Sequence, residues 1–169
     1  MNLPDKFELV TWPDKVLEQQ CEEIPSADIG SEELERLFVG MERIMFNHDG
    51  YGLAAPQVGV LAQAIIMRIP GDNILRLINP ILSKGVGPAI KTQEGCLSYP
   101  NVKGNLNCRF EEVKVTFQND KGGVESAPFR QLAAIVFQHE YDHLQGQTIL
   151  SRMGRMQRIS KVKQLRREA

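Results

Sequence analysis

The sequence predicts an α+β fold, and three features carry that reading. Helical periodicity near the N-terminus and again in the last third brackets a central block of β-patterned runs. Strands grouped between helices, rather than alternating with them, argue against a doubly wound parallel sheet. At 169 residues, 42% hydrophobic and 24% charged, with no repeat or low-complexity linker, residues 1–169 suit one compact domain.

The first helix falls within residues 26–50. Ser31 is placed to cap it, and acids fill its first turn. Leu34, Leu37, Phe38, Met41, Ile44 and Met45 then recur at helical spacing until Gly50 and Gly52 break the pattern. "AQAIIMRI" (62–69) and "ILRLINPIL" (74–82) read as short strands joined by the turn "PGDN". "VKVTFQNDKGGVES" (113–126) alternates in period two around a glycine turn and reads as a hairpin. A second helix should start near Pro128, a residue favoured at a first helical position, and run through Leu144 until Gly146 ends it. "RMQRISKVKQLRREA" (155–169) is a terminal helix with a basic face, on which Met156, Ile159 and Val162 are expected to pack inward.

Composition excludes several classes. A net charge of −1 does not fit a surface built wholly for nucleic acid, and no DNA partner is expected. Cys21, Cys96 and Cys108 are too few, and odd in number, for a secreted disulfide scaffold. The N-terminus has charges throughout, and no run nears the ~18 apolar residues of a membrane span. A soluble cytoplasmic protein without a membrane partner is the expectation.

The chemistry concentrates in "QHEYDHLQG" (138–146). On a helix, His139 and His143 lie one turn apart and can share one ion, while Glu140 is rotated about 100° from His139. Glu140 can therefore handle the protons of a reacting water without ligating the metal, which is the mechanical content of HExxH. A third ligand is needed. The extended protease motif HExxHxxGxxH keeps its glycine here at Gly146, but Ile149 stands where its last histidine would be. His48 has no metal spacing, and the only carboxylate after Asp142 is Glu168, next to the last residue. "TQEGCLSYP" (92–100) offers Cys96 instead, and a thiolate with two imidazoles suits zinc or ferrous iron. Cys108 is the competing thiol, although a small buried thiol is its plainer reading. Asp142 is expected to support the site or to pair with a basic residue such as Arg109.

Three segments, "GYGLAAPQVG" (50–59), "EGCLS" (94–98) and "QHEYDHLQG" (138–146), resemble in order the three signature motifs of peptide deformylases. The likeness extends through "LINPIL" and the hairpin and covers nearly the whole chain. It implies an α+β fold in which antiparallel strands pack around a central HExxH helix. It also implies hydrolysis of the N-formyl group of nascent polypeptides, releasing formate and a free amino terminus.

By the same resemblance Cys96, His139 and His143 would be metal ligands and Glu140 the general acid/base. Gln57 and the Leu97 backbone N–H would donate to the oxyanion, and Gly52 would hydrogen-bond the substrate peptide. Tyr51 lies in the same motif. Leu132, Ile135 and Val136 share a helix face with His139 and could line a pocket for a methionine side chain. The family often uses Fe(II) and tolerates zinc, nickel or cobalt. Its partners are N-formylmethionyl nascent peptides and, through a basic C-terminal helix, the ribosome. A bacterial, organellar or phage-encoded origin would each fit. Departures are Lys103 where many relatives carry arginine, one extra residue in "NLNCRF", and Gln131 in place of a common glycine. Two other readings stay open: a metallo-amidase acting on another small acyl group, and a metal-stabilised module without turnover.

Overall fold

The Ser31 hydroxyl accepts the Leu34 N–H at 3.2 Å and starts helix α1 (Glu32–Asn47), whose apolar stripe is buried. In this computed structural model, which describes residues 3–69, 71 and 73–168, α1 packs on an antiparallel sheet. Its strands are β1 (Gly52–Ala54), β2 (Ala64–Ile69), β3 (Asn73–Cys96), β4 (Tyr99–Gln118) and β5 (Val124–Arg130), paired in that order. Helix α2 (Gln131–Leu144) carries the HExxH motif and packs against all five strands. Helices α3 (Ile149–Arg152) and α4 (Arg155–Glu168) close the chain. The expected α+β class, antiparallel pairing and flanking helices are all present.

Side-chain burial divides the interior into three regions. One lies beneath α1, where Leu37, Phe38 and Met41 meet Leu53 and Ile66. A second lies beneath α2, where Ala134, Phe137 and Leu144 meet Leu77, Val113 and Val115. The third gathers Leu17, Tyr99, Val102 and Leu106 with Ile149, Met153 and Leu165. That last group clamps α3 and α4 onto the start of β4.

Three expectations need correction. The strand expected to end at residue 82 continues to Cys96, slipping register against β4 at several points. Such bulges bend a ribbon, and residues 83–95 are mostly exposed, so the alternation that would reveal a strand is missing there. Pro128 does not open a helix. It pairs opposite Lys114 within β5, an edge strand, where a missing N–H is tolerated. Helix α2 starts instead at Gln131, whose φ of 52° makes an abrupt strand-to-helix turn in a region that favours glycine. Third, on α4 Met156 and Ile159 are exposed rather than packed inward, and Leu165 is the buried anchor with Val162 beside it. The stretch "GYGLAAPQVG" forms β1 and a tight helical turn over Ala55–Val58. The expected turn at 70–73 has Gly71 at φ 87°, while Pro70 and Asp72 lie outside the described residues.

Candidate metal centre

Cys96 ends β3 at a tight turn, its Cα paired with Tyr99 at the start of β4. The turn overhangs the buried face of α2, so Cys96 meets His139 and His143 from a distant part of the chain. One ligand atom from each of the three lies within 4.8 Å of the others. Cys96 Sγ is 3.3 Å from His143 Nε2. Of the alternatives, Cys108 is half-buried among Tyr99, Val102 and Leu106, and His48 is exposed; neither joins the group. Cys21 is buried at the start of the chain, and burial pushes its thiol up to about 12.

The donor set fits a divalent ion. His139 Nδ1 donates to Glu94 Oε2 at 2.9 Å, which fixes the tautomer and leaves Nε2 free toward the ligand cluster. Burial, and then the neighbouring His139, hold His143 well below the ordinary imidazole range, which favours the neutral imidazole that a metal site needs. Among the described residues, buried Glu140 Oε2 has no hydrogen-bond partner.

Glu94 is the group that sequence reasoning missed. Besides His139, it takes both Nε and Nη2 of Arg109, each at 2.9 Å, and the Thr92 hydroxyl at 2.6 Å. Burial works against this carboxylate, but the bonds from His139 and Arg109 outweigh it and hold Glu94 at about 2. Arg109 Nη1 reaches Asp142 Oδ2 at 2.7 Å, as expected, and Arg152 on α3 grips the same Asp142 carboxylate. The clue to Glu94 was an acid two residues before Cys96, inside the motif itself. No sequence signal pointed to Arg152.

On the other flank, Gln57 Oε1 accepts the Ala54 N–H at 2.9 Å. That bond orients the amide so that Nε2 faces Ser98 Oγ at 3.2 Å and Cys96 Sγ at 3.6 Å. Gly52 allows the closest approach: a Cβ there would stand 2.7 Å from Val136 Cγ1, 2.9 Å from Glu140 Cγ and 3.0 Å from Glu140 Oε1. Burial pushes the Glu140 carboxyl up to about 7, while His139 and Arg109 pull it down. A group so poised can both accept and return a proton near neutral pH.

All of this opens into one cleft of about 910 Å³. Tyr51, Gly52, Gln57, Cys96, Leu97, Leu132, Ile135, Val136, His139 and Glu140 line it, which accounts for every site residue anticipated from the sequence except the fully enclosed His143. Oriented donors, a carboxyl near neutrality and a three-ligand cluster at one cleft are the parts of a hydrolytic metal site.

Comparison with known proteins points the same way. A family model described as polypeptide deformylase matches residues 6–159. Peptide deformylase 1 of Bacillus anthracis is 38% identical over 150 residues, covering 88% of this chain and 93% of its own. The crystal structure of Arabidopsis thaliana peptide deformylase 1B with an inhibitor superposes with a TM-score of 0.86 at 33% identity, over 95% of this chain and 89% of that one. A peptide deformylase from Legionella pneumophila gives 0.88 at 25% identity, over 96% and 95%. The chain therefore belongs to the polypeptide deformylase family, metal-dependent hydrolases that remove the N-formyl group from newly made polypeptides.

Proposed function

We propose that the deformylation is carried out by Cys96, His139 and His143 as metal ligands, Glu140 as acid and base, and Gln57 with the Leu97 N–H as oxyanion donors. The supporting observation is the clustering of Cys96, His139 and His143 beside a cleft that the other residues line, with the Gln57 amide turned toward Cys96. What a divalent ion supplies at such a site is Lewis acidity toward the formyl carbonyl and toward water. Glu140 takes the proton of the attacking water as the new C–O bond forms. It then returns that proton to the amine as the C–N bond breaks, giving formate and a free N-terminus. The oriented Gln57 amide and the Leu97 N–H serve the negative charge that builds on the carbonyl oxygen, each worth about 2.7–4 kcal/mol. The apolar wall of Leu132, Ile135 and Val136 takes the methionine side chain, and edge strand β1 at Gly52 offers backbone groups to an extended peptide. A thiolate with two imidazoles accepts Fe(II), the ion proposed for the cell, or zinc, nickel or cobalt.

An anaerobic assay of formate release from a formyl-methionyl peptide, with metal analysis of the same sample, tests the scheme. Cys96→Ala should lose both metal and activity. Glu140→Ala should keep the metal and lose about 10²–10⁴ in turnover. Equal metal content in Cys96→Ala and the parent would remove Cys96 from the ligand set.

The single catalytic domain, residues 1–169, is proposed to work beside the ribosome in a bacterial-type cytoplasm, or a host's if phage-encoded. No helix among the described residues is long and apolar enough to cross a membrane. The outer face of α4 supports ribosomal docking, since Arg155, Arg158, Lys163, Arg166 and Arg167 are exposed beside Met156 and Ile159. Co-sedimentation with ribosomes should then fall steeply with salt. Salt-insensitive sedimentation would leave the basic face as solubilising charge.

A further inference from the structure

We infer that Lys161 and Lys103 form a cationic wall of the cleft that favours formylated peptides bearing an acidic side chain one or two residues after the methionine. The inference rests on the deformylation scheme and adds a substrate preference to it.

The cleft has two unlike sides. Helix α2 contributes the apolar side with Leu132, Ile135 and Val136, whereas the start of β4 and α4 contribute Asn101, Lys103 and Lys161. Lys103 is paired opposite Gly95, the neighbour of Cys96, and so sits close to the reacting centre. Lys161 comes from the C-terminal helix and is held at the cleft from both directions. Gln164 Nε2 donates to the Asn101 carbonyl at 3.0 Å, Asn101 Nδ2 donates to Glu168 at 3.3 Å, and Leu165 is buried alongside Tyr99 and Val102.

Neither lysine has an ion-pair partner among the described residues. Lys161 spends one donor on Gln164 Oε1 at 3.2 Å and is half-buried; Lys103 is exposed. The acids of the same cleft do not neutralise them. Glu94 is committed to Arg109 and His139, Glu140 serves the reacting atoms, and exposed Asp49 belongs to the segment leading into β1. A peptide that enters the apolar side with its methionine must continue along the lysine side, where a carboxylate gains and a cation loses. Because these lysines face the cleft that takes the peptide, a peptide carboxylate is the occupant they fit, rather than a nucleic-acid phosphate.

The test uses the metal-loaded enzyme and three C-terminally amidated peptides, formyl-Met-Ala-Glu, formyl-Met-Ala-Ala and formyl-Met-Ala-Lys. The readout is the ratio of kcat/KM for the glutamate peptide over the lysine peptide, which does not depend on the fraction of active enzyme. At exposed or half-buried distances each lysine is worth about threefold, so the parent ratio should be about 10 and fall with salt. Lys161→Arg should keep the ratio, Lys161→Gln should lower it about threefold, and Lys161→Glu with Lys103→Glu should bring it below one. Calorimetry with the unformylated products should show the same order of affinity without turnover. A parent ratio near one, or a ratio unmoved by the double reversal, would overturn the inference. Hydrolysis of none of the peptides would overturn the deformylation scheme and this inference with it, whereas equal hydrolysis of all three would overturn the preference alone.

Discussion

Glu94→Gln isolates the support beneath the metal site. The change keeps volume and one acceptor but removes the charge that Arg109 and His139 both use. Arg109 is 3% exposed, so its guanidinium cannot turn to water for a replacement. It would keep Asp142 at 2.7 Å and the Gln138 carbonyl at 3.3 Å, while Nε and Nη2 would lose their charged acceptor. Breaking one side of a buried pair in this way costs about 3–5 kcal/mol, well above the ~1 kcal/mol of an exposed pair. For a chain of this size that is a fall in Tm of roughly 6–20 °C, taking about 2–4 °C per kcal/mol.

The second effect is on the ion. With Glu94 neutral, the Nδ1–H of His139 loses its charged acceptor, and metal affinity should drop about 10- to 100-fold. The two effects separate experimentally. Urea unfolding of the metal-free protein reads the buried pair alone, and competition with a chelator reads the ligand geometry. If the metal-free variant lost less than ~1 kcal/mol while the metal-loaded one lost several, Glu94 would matter only through the ion, and the argument from the stranded Arg109 would be wrong.

Gly52→Ala would place a methyl against Val136 and Glu140, at an overpacking cost of about 1–3 kcal/mol. By shifting Glu140 it should cut kcat on the order of 10²-fold, and unchanged steady-state kinetics would show that the strand yields instead. At Gln131 the left-handed φ of 52° makes glycine the better residue. Gln131→Gly should therefore stabilise by about 0.5–1 kcal/mol in urea unfolding, whereas a loss of ~1 kcal/mol would mean the position behaves as ordinary helix interior. Iodoacetamide should leave Cys21 unmodified in the native protein, since its thiol is 4% exposed and held protonated; rapid native labelling at Cys21, located by mass spectrometry, would contradict that burial.

What the sequence could reveal tracks how local the cause was. Helix α1 was readable because its cap and its buried stripe are both written within residues 31–47. The start of α2 was not, because Pro128 is permitted by β5 being an edge strand, and edge position is a property of the sheet. The inward face proposed for α4 failed for a related reason. Met156 and Ile159 are exposed, and of the apolar side chains of α4 Val162 and Leu165 are the ones that join the core at the start of β4.

The metal cluster shows the same division at one site. Two of its three members are four residues apart on one helix, so HExxH could be read directly. Spacing alone left Cys96 and Cys108 in competition. The choice is made by the β3–β4 register, which pairs Cys96 with Tyr99 at the turn above α2 and leaves Cys108 twelve residues on, among the side chains of the third core. Arg109 is the next residue, and it points the other way, into Glu94 and Asp142. Adjacent strand residues face opposite sides, so any slip of one residue in β4 would exchange a buried cation for a thiol beneath the metal ligands. Between Leu106, paired with Thr92, and Arg109, paired with Ile90, the chain advances three residues on β4 against two on β3. That bulge sets the facing of Arg109 and leaves its guanidinium aimed at Glu94.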